Sequence, residues 1–359
     1  MSIYPMRRWV FEDSLGRYDI DLGDSHVQCG TLDQLSVPAD LELNYGVDRG
    51  SAELRALVAR RYGGDAERVV ITHGAQEALY LLYATLLRPG DRVLAFCPGW
   101  QQATEAPARL GAEVLVSDLT EDFALDLDQI AAFAAGGLRL ITLNTPGNPS
   151  GRRISATELA AVLEIAERAD AYVLADEEYL VDLTESVALA GARAVSISSL
   201  SKIAGLPGLR VGWMYGPSDI VAACAEYKHL TTISTSVLCE ALATDALSKW
   251  QHYQDEYQRL TGLGGRQLRE FVDRHAEEMR LIEPEGTPFA WLQLAPGLAS
   301  MELARDMLEV GVLLMPGDVL GKPGGIRISF AREADVLAEG LARFDSVLST
   351  RSQRRSVLA

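Results

Sequence analysis

Short apolar runs alternate with amphipathic stretches from about residue 50 to residue 216 of the chain. The runs "RVVIT" (68–72), "RVLAFC" (92–97), "EVLVSDL" (113–119), "LRLITLN" (138–144), "YVLADE" (172–177), "RAVSISS" (193–199) and "LRVGWMYG" (209–216) are short, apolar and rich in β-branched residues, and they predict strands. The stretches between them carry helix punctuation. "SAELRALVARRYGG" starts on a capping Ser51 and stops at Gly63–Gly64, and "GAQEALYLLYATLLRPGD" closes on Pro89–Gly90. "WQQATEAPARLG" and "SATELAAVLEIAERAD" (155–170) also predict helices. Strand–helix alternation with apolar strands implies an α/β domain, its mostly parallel sheet covered by helices on both faces.

After residue 217 the pattern turns helical, and "YQDEYQRLTGLGGRQLREFVDRHAEEM" predicts a long connecting helix. The last hundred or so residues, with "FAWLQL", "GVLLMPG" and "IRISFA" as strands, predict a smaller α+β domain. The first forty residues are too short to fold alone and are expected to pack against it. The expected division is therefore 1–40 as an N-terminal arm of the small domain, 41–248 as the large domain and 249–359 as the small C-terminal domain. No internal repeat or low-complexity stretch interrupts the pattern.

Composition narrows the function classes. Of 359 residues, 48 % are apolar and 23 % charged, as in a globular protein with a sizeable core. A net charge of −17 argues against nucleic acid or an anionic membrane as partner, since both attract basic surfaces. No apolar run approaches the ~18 residues of a membrane span, and the N-terminus lacks the apolar core of a signal peptide. Cys29, Cys97, Cys224 and Cys239 form no CxxC pair, which predicts a reduced, cytoplasmic chain with each thiol a small buried hydrophobe. The five histidines have no ligand spacing, so no metal is expected.

Ligands of such sheets bind beyond the carboxyl ends of the strands, so the residues that end each strand test whether a site exists. After "RVVIT", His73-Gly74-Ala75-Gln76 opens a helix whose N–H groups could cradle a phosphate, or it simply starts a helix. After "RVLAFC" comes Trp100, a stacking surface or a packed core residue. "NTPGNPSG" (144–151) holds Asn148 between Gly147 and Pro149, either to bond a ligand oxygen or to make a turn. Asp176-Glu177-Glu178-Tyr179 puts carboxylates at a buried strand end, where each needs a cation, a proton or a capping role. Ser201-Lys202 follows the next strand. Five strand ends, each with a polar or aromatic group, are more than chance turns would produce.

Together, "NTPGNPSG", "DEEY" and "SLSKIAGLPGLRVGW" resemble, in order and spacing, the fold-type I pyridoxal-phosphate enzymes of the class I/II aminotransferase family. The resemblance runs from "NYGVDRGSAELR" to "IRISFA" and implies the large domain with a seven-stranded sheet plus the small α+β domain. It implies that Lys202 forms a Schiff base with pyridoxal phosphate and later carries a proton, and that Asp176 pairs with the pyridine nitrogen. Tyr179 and Asn148 would bond the ring hydroxyl oxygen, and Trp100 would stack on the ring. Gly74, Ala75 and Gln76, with Ser199, Ser201 and Arg210, would hold the phosphate. Tyr45 would reach the phosphate of a neighbouring subunit, implying a homodimer, and Arg327 would clamp the substrate α-carboxylate as a bidentate fork. The implied reaction is transamination of a free α-amino acid to a keto acid through Schiff-base and quinonoid intermediates.

One segment departs from the family pattern. Where a glycine-rich stretch lines the substrate pocket, this chain reads "DLGDSHVQCG" (21–30), keeping Gly23 and adding His26. With "THGAQEALYL", it resembles the branch that cyclises or oxidises arginine or hydroxyarginine, capreomycidine synthase included. His26 is then either an acid–base group or a plain loop histidine. Gly23, Asp24, Ser25 and His26 are the expected substrate segment.

Overall fold

A computed structural model describes residues 4–358. The chain forms two compact units, one comprising Cys29–Asn148 and Arg152–Asp255, the other the residues up to Gln28, Pro149–Gly151 and those from Glu256 onward.

The larger unit contains a seven-stranded sheet. Its strands are β1 (Val69–Thr72), β2 (Arg92–Cys97), β3 (Glu113–Asp118), β4 (Leu140–Asn144), β5 (Tyr172–Asp176), β6 (Ala194–Ser199) and β7 (Gly212–Tyr215). They lie in the spatial order β1-β7-β6-β5-β4-β2-β3. The pairs β2–β3, β2–β4, β4–β5 and β5–β6 are parallel, and β7 runs antiparallel to both β6 and β1. All seven sequence-predicted strands are present in a mostly parallel α/β sheet.

Why these strands are apolar throughout is visible in how successive residues divide. In β5, Leu174 packs into one core with Leu79, Leu82 and Tyr83 of the helix Ala75–Leu86 and with Val221 of the helix Ser218–Lys228. Val173 and Ala175 pack into the opposite core, with Val162 and Ile165 of the helix Ala156–Arg168 and Ile130 of the helix Leu127–Ala135. Side chains alternate across a strand, so a sheet covered on both faces needs apolar residues at every position. Local capping sets where the helices begin. Ser51 accepts from Leu54 N, and Ser155 and Glu158 form a capping box.

The smaller unit carries an antiparallel sheet ordered Met315–Pro316, Gly325–Ser329, Phe289–Leu294, Met279–Ile282. Gly325 is required beside Trp291: a Cβ there would stand 2.0 Å from Trp291 Cζ2. The N-terminal segment joins this unit through a short parallel pair, Ile20–Asp21 with Val312–Leu313, and through Trp9 Nε1, which donates to Leu314 O at 2.9 Å. "GVLLMPG", read as one strand, is two short ones, Val312–Leu313 and Met315–Pro316, because the two halves pair with different partners. The expectation of four buried thiols holds only for Cys224; Cys97 and Cys239 are half-buried and Cys29 is exposed. Among the described residues no helix is long and apolar enough to cross a membrane.

Candidate active site

The carboxyl ends of β1, β2, β4, β5 and β6 each lead into one of the residues singled out from the sequence, so one edge of the sheet gathers them. At β1 the chain turns through Gly74 (φ +74°) into the helix Ala75–Leu86, whose N-terminus has no side-chain cap. The N–H groups of Ala75 and Gln76 and the positive end of the helix dipole thus face outward. Arg210 stands over this end. A Cβ on Gly74 would lie 2.5 Å from Arg210 Nη2, and one on Gly212 would lie 2.5 Å from Gly74 C. Arg210 itself holds the left-handed conformation (φ +52°), and its Nη1 donates to Pro207 O at 3.1 Å. Gly74 thus makes room for a guanidinium beside a helix N-terminus, and Gly212 for the backbone of that turn, a pairing of cation and helix end suited to a dianion.

Residues not singled out from the sequence brace this end. Glu77 accepts from His73 N at 2.6 Å, contacts His73 Nδ1 at 3.1 Å and accepts from Thr232 Oγ1 at 2.6 Å. Burial opposes its ionisation, but these bonds and the charge of Lys228 outweigh burial and hold the carboxyl at about 2. Lys228 is fully buried, its Nζ donating to Ile71 O at 2.9 Å and Asp48 O at 3.1 Å. Its charge has no local sequence signature, since its partners lie 157 and 180 residues away. Trp100 Nε1 donates to Gln76 Oε1 at 3.1 Å, which ties the indole to the start of the helix.

Asn144, the last residue of β4, joins two strand ends. Its Nδ2 donates to Asp176 O at 3.0 Å, and its Oδ1 accepts from Asn148 N at 2.6 Å. Asn148 is buried, as are Tyr179, Ser199 and Ser201, while Lys202 is half-buried. Ser199 Oγ accepts from Ser201 N at 2.9 Å. Burial, then the charge of Glu178, lift the Asp176 carboxyl well above the usual carboxylate range, against the pull of Lys202. Glu177 turns the other way. Its Oε1 accepts from Val187 N at 2.8 Å and its Oε2 from Ser186 Oγ at 2.6 Å, in a fully buried position. Tyr45 lies on the same unit with 81 % of its surface exposed.

In the smaller unit, Arg327 is buried, lies 5.3 Å from the Phe289 ring centroid and donates from Nη2 to Gly23 O. Gly23 needs its lack of a side chain, since a Cβ would stand 2.8 Å from Leu313 Cγ. The segment after it is fastened by Arg332, which sequence reasoning missed. Arg332 donates to Asp21 O at 3.1 Å, to His26 O at 2.7 Å and to Asp24 Oδ1. His26 Nδ1 meets Val27 O at 2.7 Å and Nε2 meets Asp24 Oδ2 at 3.1 Å. Both ring nitrogens thus meet an oxygen of the loop itself, so the imidazole is held within the loop. Ser25 is buried within it.

Comparison with known proteins agrees with this arrangement. Residues 39–344 match the family model for aminotransferase class I and II. An aspartate aminotransferase of Thermotoga maritima is 27 % identical over 331 residues, covering 86 % of this chain and 85 % of that protein. Capreomycidine synthase of Streptomyces vinaceus is 31 % identical over 325 residues, covering 86 % and 82 %. The crystal structure of a PLP-dependent aminotransferase from Streptococcus suis superposes with a TM-score of 0.92 at 26 % identity, covering 97 % and 98 %. The open helix N-terminus under Arg210, with a lysine and a carboxyl in electrostatic reach of each other, fits a phosphorylated pyridine aldehyde. The chain belongs to the class I and II aminotransferase family and is a pyridoxal-phosphate-dependent enzyme of fold-type I.

Proposed function

We propose that the enzyme transaminates a free α-amino acid, with a keto acid as product and a second keto acid as acceptor. The observation that carries this reading is the meeting of Lys202, the lifted Asp176 carboxyl and the Arg210-capped helix N-terminus at one sheet edge. Pyridoxal phosphate, when bound, supplies an electron sink for the charge left on Cα as its proton departs. Asp176 would pair with the ring nitrogen and keep that sink strong. Lys202 would attach the cofactor and serve as the proton carrier, a role suited to an amine partly desolvated beside a cation. The Ala75 and Gln76 N–H groups, with Gly74 giving close approach, and the side chains of Ser199, Ser201 and Arg210 would hold the phosphate. Tyr179 and Asn148 would bond the ring hydroxyl oxygen, and Trp100 would stack on the ring.

Arg327 is the proposed clamp for the substrate carboxylate, and Gly23, Asp24, Ser25 and His26 the proposed substrate segment. Because Asp24 and His26 are engaged with Arg332 and Val27, the segment presents backbone more than free side chains. We further propose a cytoplasmic homodimer in which Tyr45 serves the neighbouring site. Leu43, Tyr45, Val47 and Leu230 are 74 %, 81 %, 58 % and 77 % exposed, an apolar surface that a second copy would cover.

The test is an absorbance titration of the purified enzyme with single amino acids and no acceptor. Conversion to the aminated cofactor with one equivalent of keto acid supports transamination and names the donor; no conversion by any amino acid overturns it. Cyclisation or oxidation of arginine or hydroxyarginine is the second reading, supported by the likeness to capreomycidine synthase. A guanidino amino acid consumed without aminated cofactor would favour it.

A further inference from the structure

The proposed chemistry gives no task to Glu177 or Glu178 at the end of β5, and of the two only Glu178 faces Lys202 and Arg210. Its side chain is 7 % exposed, and its Oε1 is buried with no hydrogen-bond partner. Its backbone N–H donates to Asp176 Oδ1 at 3.3 Å, and the Ser199 hydroxyl bonds its carboxyl. Its charged neighbours are Asp176 on its own strand end and Lys202 and Arg210 from the segment after β6. Two carboxyls and two cations therefore lie within electrostatic reach of one another here. Burial raises the Glu178 carboxyl, and only Lys202, Ser199 and Arg210 hold it down.

Loading the cofactor, on the reading given above, weakens these supports: the phosphate would share Arg210 and Ser199 with Glu178, and Lys202 would give up its ammonium charge on attachment. The phosphate also adds negative charge. A buried carboxylate that loses its cations takes up a proton rather than staying charged. We propose that Glu178 is the proton-holding residue of this site: it becomes a neutral carboxylic acid when pyridoxal phosphate binds, with the proton drawn from solvent. Attachment of Lys202 would replace the cofactor's C=O by C=N with loss of water and of the ammonium proton in wild type and variants alike; separately one O–H bond forms on Glu178, and nothing is oxidised or reduced. The loaded site then has an O–H donor beside Lys202, and cofactor affinity is tied to pH through Glu178.

The measurement is calorimetric titration of the cofactor-free full-length enzyme with pyridoxal phosphate near pH 8, in buffers of different ionisation enthalpy. Wild type should take up about one proton more per site than Glu178→Gln, since the amide cannot be charged. Its affinity should fall, relative to the variant, by ~10-fold for each unit of rising pH in that range. Glu178→Leu, matched to buried surroundings, must give the same proton count and guards against a folding defect in the first variant. Equal counts and parallel pH profiles in wild type and both variants overturn the role of Glu178 and leave the cofactor assignment standing. A wild-type enzyme that binds no pyridoxal phosphate overturns both.

Discussion

The sheet edge and the Gly23–Gln28 loop each gather polar groups, but they are held in place by different means. At the sheet edge the proposed site residues follow directly on buried strands, and local turns aim them: Gly74 opens its helix, Asn144 binds Asn148 four residues on, and Ser199 binds Ser201 two residues on. The loop has local turns too, with Asp21 Oδ1 accepting from Gly23 N and Asp24 N, but it follows no long buried strand and adds distant partners. Arg332, 306 residues away, reaches His26 O, and the same guanidinium takes Asp21 O and Asp24. The strand-end residues are aimed by partners a few positions away, whereas the loop also depends on Arg327 and Arg332, 304 and 306 residues from the carbonyls they hold.

Breaking the sheet edge at its centre should have the largest effect. Lys202→Ala should cut turnover by at least ~10³-fold while leaving circular dichroism unchanged, because it removes the proposed nucleophile and proton carrier. Turnover near the wild-type rate would sink the site assignment.

Breaking the loop should come next. Arg332→Met removes the guanidinium from Asp24, Asp21 O and His26 O, and should lower stability by about 3 kcal/mol in denaturant titration. The same variant should raise KM more than it lowers kcat, since the loop positions substrate rather than reacting atoms. An unchanged KM would separate the loop from the substrate.

The phosphate end offers a smaller step. Gly74→Ala puts a methyl at φ +74° and 2.5 Å from Arg210 Nη2, so cofactor affinity should drop by about 1–2 kcal/mol, roughly ten-fold, in a spectroscopic binding titration.

The smallest effect should come from acid. The Glu77 carboxyl lies at about 2 when folded, below its ordinary 4.5, so its contribution is complete above pH 4.5 and is lost as pH falls toward 2. Glu77→Gln should remove about 1 kcal/mol of stability at neutral pH and flatten the decline across that window. An unchanged acid limb would show that the His73 and Thr232 bonds carry no net stabilisation.

Much of this was legible in the chain because its code is local. Apolar runs named all seven strands of the large sheet, since a strand covered on both faces must be apolar at every position, and Ser51 and Ser155 marked helix starts because a cap acts within three residues. Strand ends pointed to the site for the same reason: in a parallel sheet, chain direction alone sends those residues to one edge. Tertiary structure alone decided which of two adjacent glutamates serves that site. Glu177 and Glu178 look alike in "DEEY", yet one bonds Ser186 and Val187 while the other lies under the charges of Lys202 and Arg210. It also decided that His26 is clamped between Asp24 and Val27, and that Lys228 and Arg332 are buried braces. Those outcomes depend on partners far away in the chain, and no local pattern of residues records a contact made only when distant segments pack.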